Sequence, residues 1–319
     1  MWSGTARRPP LVFGVLAAIL GGVGGAVQAR VNGGLGGRLH DGIAAALINN
    51  TTALLLVTSG IFSRTGREGL RRLAGRLRTG ALRPWECVGG ACGAVYVASQ
   101  GISAGPLGVA VFTIAVVCGQ SGGALGVDRA GLAPGGRRPI TWPRAVGAGL
   151  SVVAVTIAMS GRLGSGTTLG LAALPLVAGV ALAFQGAVNG RVRQHAGTVL
   201  PAVFVNALVG TLALAVAFVC SLALRGWPSG ALPREPWWYV GGAIGIGFTA
   251  IGIAVVERIG VLLLGLGIIA GQLAGAVLLD LVAPGPTGRP DAPALVGAVL
   301  TFAAVTVALA ASTRPRSDP

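Results

Sequence analysis

Lysine is absent from this chain: all 24 basic residues are arginines, set against nine acids. Histidine occurs only at His40 and His195, and cysteine only at Cys87, Cys92, Cys118 and Cys220. No carboxylate cluster surrounds either histidine, and the cysteines form neither a metal-ligand spacing nor a redox motif. The chain is therefore not expected to be an enzyme, and no metal or cofactor is expected. The cysteines read as small apolar fillers. Charge is also missing from the middle of every long apolar run, since Glu86, Asp128, Glu257 and Asp280 all stand at run ends. A charge at the bilayer centre costs about 2.5–3.5 kcal/mol on the insertion scale, so one found there has a task. Obligatory proton coupling through a mid-membrane carboxylate is not visible, and a neutral or zwitterionic solute fits better.

What the chain does contain is apolar. It is 53% hydrophobic and 10% charged, with a mean hydropathy of +0.78, which excludes an ordinary soluble domain. At about 20 residues per crossing, ten apolar runs suffice to span a bilayer: Leu11–Ala29, Ile43–Phe62, Cys87–Ala104, Leu107–Val127, Ala145–Ser160, Leu169–Val188, Val199–Leu224, Trp237–Val256, Gly260–Leu279 and Ala294–Ser312. The first run, after Arg7-Arg8, imitates a secretory signal. Its repeat counterpart lies mid-chain, which argues against cleavage. The 55 glycines read as small residues that let helices approach closely. Gly241–Gly247 is accordingly helix packing, not a dinucleotide loop.

The net charge of +15 would suit nucleic acid only if the arginines shared a face with polar or aromatic partners. Instead they lie between apolar runs. The N-terminus, the C-terminus and the connections after runs two, four, six and eight hold 18 of them, and the other connections hold six. The positive-inside rule then predicts two cytoplasmic termini. Expected partners are the lipid bilayer and a small molecule, with no nucleic acid and a homodimer left open. The loop after Phe62 carries seven arginines, with Leu70, Leu73 and Leu77 at helical spacing. It reads equally as a basic amphipathic helix on the lipid surface or as a solvated loop.

The runs are duplicated. Gln28-Ala-Arg-Val-Asn32 returns 157 residues later as Gln185-Gly-Ala-Val-Asn189, and with the same offset Asn49 falls on Asn206. At an offset of 152, Pro84-Trp85 and Val88-Gly-Gly-Ala91 meet Pro236-Trp237 and Val240-Gly-Gly-Ala243. Gly119-Gln120 and Asp128 likewise meet Gly271-Gln272 and Asp280. The expected fold is an all-α integral membrane protein of ten transmembrane helices in two five-helix repeats, over 1–162 and 163–319. Five spans is an odd number, so the second repeat enters inverted, a common transporter design with its site near mid-membrane.

Amides inside spans need partners or water and seldom face lipid. Gln28, Asn32, Asn49 and Gln120, with their counterparts Gln185, Asn189, Asn206 and Gln272, are therefore the substrate-cavity candidates. They read as two symmetry-related clusters flanking a central cavity, or as hydrogen bonds that only hold the bundle together. Asp128 and Asp280 are span-end acids that either cap a cavity mouth or pair with a neighbouring arginine.

These motifs (Gln-x-x-x-Asn-Gly, Asn206-x-x-x-Gly210-Thr-Leu, and Gly-Gln with a later Asp) resemble the drug/metabolite transporter superfamily, with the EamA-like inner-membrane exporters of bacteria as the nearest group. The resemblance covers residues 11 to 312. It implies a ten-helix, two-repeat exporter of a small metabolite, with the first, third and fourth helices of each half lining the cavity. The first half departs from it in lacking the glycine found at Gly210, and no carboxylate stands in the first helix, which weighs against drug–proton antiport. A non-transporting membrane subunit or lipid-intermediate flippase component is the alternative expectation.

Overall fold

The computed structural model describes residues 11–132, 136–137, 139–160, 166–286 and 288–310, and among them it is helical with no strand. The two terminal tails, Arg138 and the hinge at 161–165 lie outside the described residues, as do the side chains of Glu257 and Arg258. The helices are α1 (Leu11–Leu39), α2 (Gly42–Ile61), α3 (Arg64–Arg78), α4 (Gly89–Ser99), α5 (Val109–Ala130), α6 (Trp142–Met159), α7 (Gly166–Ala196), α8 (Val199–Arg225), α9 (Gly241–Val282) and α10 (Ala292–Ala310). Among the described residues, five helical stretches are long and apolar enough to cross a bilayer, and three shorter apolar stretches lie at Ala145–Met159, Gly267–Val282 and Ala292–Val307. Exposed Leu212, Val216 and Val219 on α8, and Val296, Val299 and Phe302 on α10, recur at helical spacing. They form the kind of apolar outer surface that lipid covers. The protein is an all-α membrane protein.

Local chemistry sets three of the helix ends. The Asp41 carboxylate accepts from the backbone N–H groups of Ile43 and Ala44 at 2.8 and 2.9 Å, capping α2. Ser63 caps α3 in the same way. Gly131, with φ near +70°, closes α5 in the left-handed conformation that glycine adopts without strain.

Four boundaries differ from the hydropathy reading. α1 and α7 run about two turns past their apolar stretches, because Gly33 and Gly36 and the Arg191 turn pack on protein rather than lipid. The third run breaks not at Gly105-Pro106 but at Gly108 (φ 79°), after a π-turn at Gln100–Ala104. The eighth and ninth runs form one stretch of helical backbone, Gly241–Val282. A straight helix would hold Ile251 and Ile268 about 25 Å apart at 1.5 Å per residue. Both instead reach α1 at adjacent residues, Gly21 and Gly22, so the stretch makes two passes along that helix.

The packing exchanges the halves. A Cβ on Gly22 would overlap the carbonyl of Ile268, and one on Gly271 the carbonyl of Ile19. The counterparts repeat this: Gly179 meets the Val116 carbonyl and Gly119 the Leu176 carbonyl. Thus α1 crosses the second pass of α9, and α7 crosses α5, with backbone against backbone. α6 and α10 pack on each other through Ala158 and Gly297. Alternate connections gather at opposite ends. One end collects α3, Glu86, the turn after α5 and the α7–α8 turn; the other collects the α1–α2 turn, residues 101–106 and 225–229, and the turn after α9.

Gly119→Ala and Gly271→Ala should therefore destabilise the purified protein by similar amounts, about 1–3 kcal/mol each for overpacking. Gly126 faces open space, so Gly126→Ala should be neutral or stabilising by up to about 1 kcal/mol. Melting curves in detergent would check this, and an unchanged melting temperature in the first two variants would contradict the crossings.

Candidate functional site

Between the crossings lies a cavity of about 270 Å³. Of the predicted amides, Gln28, Asn49, Gln120, Gln185, Asn189, Asn206 and Gln272 line it. Asn32 does not; it is 1% exposed and its Nδ2 donates to Gln100 Oε1 at 2.7 Å. No charged side chain lines the cavity among the described residues. α2 and α8 contribute Asn49 and Asn206, so the second helix of each half joins the first, third and fourth at the wall. α6 and α10 stay outside.

The two clusters share one plan and differ in strength. Gln28 Nε2 donates to Asn49 Oδ1 at 3.4 Å, and its counterpart Gln185 Nε2 donates to Asn206 Oδ1 at 2.9 Å. Asn206 Oδ1 also accepts from Asn189 Nδ2 at 2.9 Å. The equivalent Asn32 is instead drawn away to Gln100. Several of these amides rest on glycines in or just after the repeated Val-Gly-Gly-Ala motif. A Cβ on Gly93 would stand 2.8 Å from Gln185 Nε2, and one on Gly245 2.7 Å from Gln28 Nε2. Gly89 faces Asn189, and Gly241 faces Asn49 and Asn32. Sequence reading took these glycines as general packing; their recurrence with the amides in both repeats was the available signal. The buried carbonyl of Gln185, Oε1, has no hydrogen-bond partner. An unpaired buried acceptor costs free energy, so this atom is disposed to take a donor from a bound solute or water.

The two ends of the molecule carry different chemistry. At the α3 end, Arg191 spreads its guanidinium over Glu86 Oε1 (2.7 Å), the Leu132 carbonyl (2.8 Å) and the Gly131 carbonyl (3.1 Å). Glu86 Oε2 accepts from the Arg83 N–H at 2.7 Å. Burial pushes the Glu86 carboxyl up, but the bonds to Arg191 and Arg83, with the positive charges of Arg191 and nearby His195, outweigh it and hold the group below its ordinary value. His195 itself lies in the last turn of α7.

At the opposite end is a vestibule of about 1270 Å³. Arg30 Nη2 sits 3.5 Å from Asp280 Oδ1 and donates to the Leu279 carbonyl at 3.3 Å. Asp280 Oδ2 accepts from the Ala110 N–H at 2.8 Å, tying the second half to the start of α5. Asp280 thus pairs with an arginine; Asp128, its counterpart, is half-buried near the end of α5. Trp238 fills the notch at Gly34, with the Arg38 guanidinium 4.6 Å from its ring centroid. Sequence reading missed Gln100, the Arg30 and Arg191 pairings and the Trp238 notch, since each depends on a contact distant in sequence. Among the described residues no group of His, Cys, Asp and Glu could hold a metal ion.

Asn206→Ala removes the acceptor of two bonds and Asn49→Ala that of one long bond. With interhelical hydrogen bonds averaging about 0.6 kcal/mol, Asn206→Ala should lower the melting temperature more. Equal losses would contradict the unequal clusters.

The chain matches, over residues 13–157 and again over 170–307, the family model described as "Putative inner membrane exporter, YdcZ", in the drug/metabolite transporter group. No curated protein matches. A solved structure, described only as the crystal structure of a protein, is 18% identical with a TM-score of 0.51, covering 98% of this chain and 100% of its own. That likeness concerns the fold alone. The family match falls once on each half and agrees with the resemblance carried by the amide and glycine motifs. The chain belongs to this family, described as "Putative inner membrane exporter, YdcZ".

Proposed function

We propose that the protein is a secondary carrier that exports a small neutral or zwitterionic metabolite by alternating access between two inverted five-helix repeats. The observation that carries this reading is the uncharged cavity walled by repeat-related amides. Amide side chains offer donors and acceptors without charge, which suits a polar solute that crosses without a net charge to neutralise. The ten-span count draws support from the two passes of α9 along α1, and the inversion from the exchanged contacts of the halves. Both termini are cytoplasmic in this reading, because the arginine-rich connections gather at the α3 end.

The ends act as unlike gates. The open vestibule faces the periplasm, while Arg191 holds the cytoplasmic end shut through Glu86 and the turn after α5. Exchange of the two repeat conformations would release Arg191 and bring the vestibule walls together. A solute bound at mid-depth shifts this equilibrium only by its differential affinity for the two states.

Two measurements test the proposal. The first is the melting temperature of purified protein against amino acids, sugars, nucleosides and cationic drugs. A ligand of the folded state at 100 times its dissociation constant stabilises by about 2.7 kcal/mol. A shift from one neutral or zwitterionic class is expected, lost in Gln120→Ala and Gln272→Ala variants that still fold. A flat panel, or a shift that survives in both variants, would sink the amide site. The second is acid sensitivity. Because the folded-state pKa of Glu86 is depressed, its stabilising effect is complete above the ordinary value of 4.5 and is lost as pH falls through the lower folded value. Glu86→Gln should remove that part of the acid-induced fall in melting temperature. Parallel pH curves for the two proteins would contradict it.

A further inference from the structure

α3 is the one helix here that is strongly basic, and its two faces have different fates. At 100° per residue, Arg64, Arg67, Arg71, Arg72, Arg76 and Arg78 cover half its circumference with Glu68 as the sole acid. All six arginines are exposed, and among the described residues only Arg64 pairs with an acid, Glu68, at 2.9 Å. The other face is already occupied by protein. Leu73 is buried with Leu82, Val192, Ala196 and Ala202, and a Cβ on Gly69 would overlap Pro201. Of the two readings of this loop the helix holds, with Leu70 and Leu73 docked on the α7–α8 turn and Leu77 left exposed, and that docking fixes the arginine face outward. Depth is set by the neighbours. α3 begins three residues after α2 ends, and the exposed aromatics Phe62 and Trp85 flank it where interfacial rings belong.

We infer that the arginine face of α3 binds the headgroups of anionic phospholipids. The charge is complementary, the guanidinium geometry suits phosphate oxygens, and the aromatic flanks place the face at headgroup level. Because α3 is seated on the α7–α8 turn, close to the Arg191–Glu86 pair, a headgroup bound there also braces that end of the molecule. The inference does not depend on which solute the cavity takes or on whether the protein transports.

The test uses the full chain in nanodiscs of phosphatidylcholine with a rising fraction of phosphatidylglycerol, read by melting temperature. For the unaltered protein the melting temperature should rise with phosphatidylglycerol, less so at high salt. The variant R67Q/R71Q/R78Q should melt like the parent in pure phosphatidylcholine, since these side chains are exposed and unpaired. Its apparent affinity for phosphatidylglycerol should fall about fivefold per arginine removed, on the order of a hundredfold in all. R225Q/R234Q, at the opposite end, should keep the full response. An undiminished response in the α3 variant would overturn the inference. So would an equal rise from inorganic phosphate in pure phosphatidylcholine, which would assign the face to a free anion.

Discussion

Backbone contact between the two halves is the constraint on which the rest of the structure depends. Where α1 meets the second pass of α9 and α7 meets α5, carbonyls occupy the space in which a Cβ would stand. Lipid chains are as apolar as the helices, so burial of leucine supplies little drive for association in a membrane. Close van der Waals packing and interhelical hydrogen bonds must do it instead. Glycine permits both, and its abundance here has that physical reason.

The same closeness creates the cavity wall. Gly93 and Gly245 leave room for Gln185 and Gln28 to lie along the opposing helix, and Gly89 and Gly241 do the same for the asparagines. Gln28, Gln185 and Asn189 then bond asparagines across helices, and at the cavity the buried carbonyl Gln185 Oε1 is left without a partner. A wall built this way is polar without being charged. It avoids the desolvation cost of a buried ion while retaining directional groups able to recognise a solute.

Duplication gave the halves one packing plan, and divergence gave their ends different chemistry. Glu86 and Arg191 correspond to Trp238 and Gly34 in the other half. The ion pair at one end is therefore replaced at the other by an indole seated in a glycine notch. Arg30 corresponds to Ala187, whereas Asp280 corresponds to another aspartate, Asp128.

The sequence by itself determined the class, the duplication and most of the helices. Hydropathy over stretches of about 20 residues and a repeat with a fixed offset are local or self-referential signals, and Gln28, Asn49, Gln185 and Asn206 stood out because amides are costly in hydrocarbon. Charge by position also separated the connections that the fold gathers at opposite ends. Only the tertiary structure decided what meets what. It sent Asn32 to Gln100 rather than the cavity, turned Leu70 and Leu73 of α3 onto protein, and gave Arg191 and Arg30 their partners. Each of those outcomes joins residues far apart in the chain, through distances that no single stretch of sequence encodes. The extended helix ends show the same limit: past Ala29 and Val188 hydropathy falls, but the helices continue because protein, not lipid, packs around them.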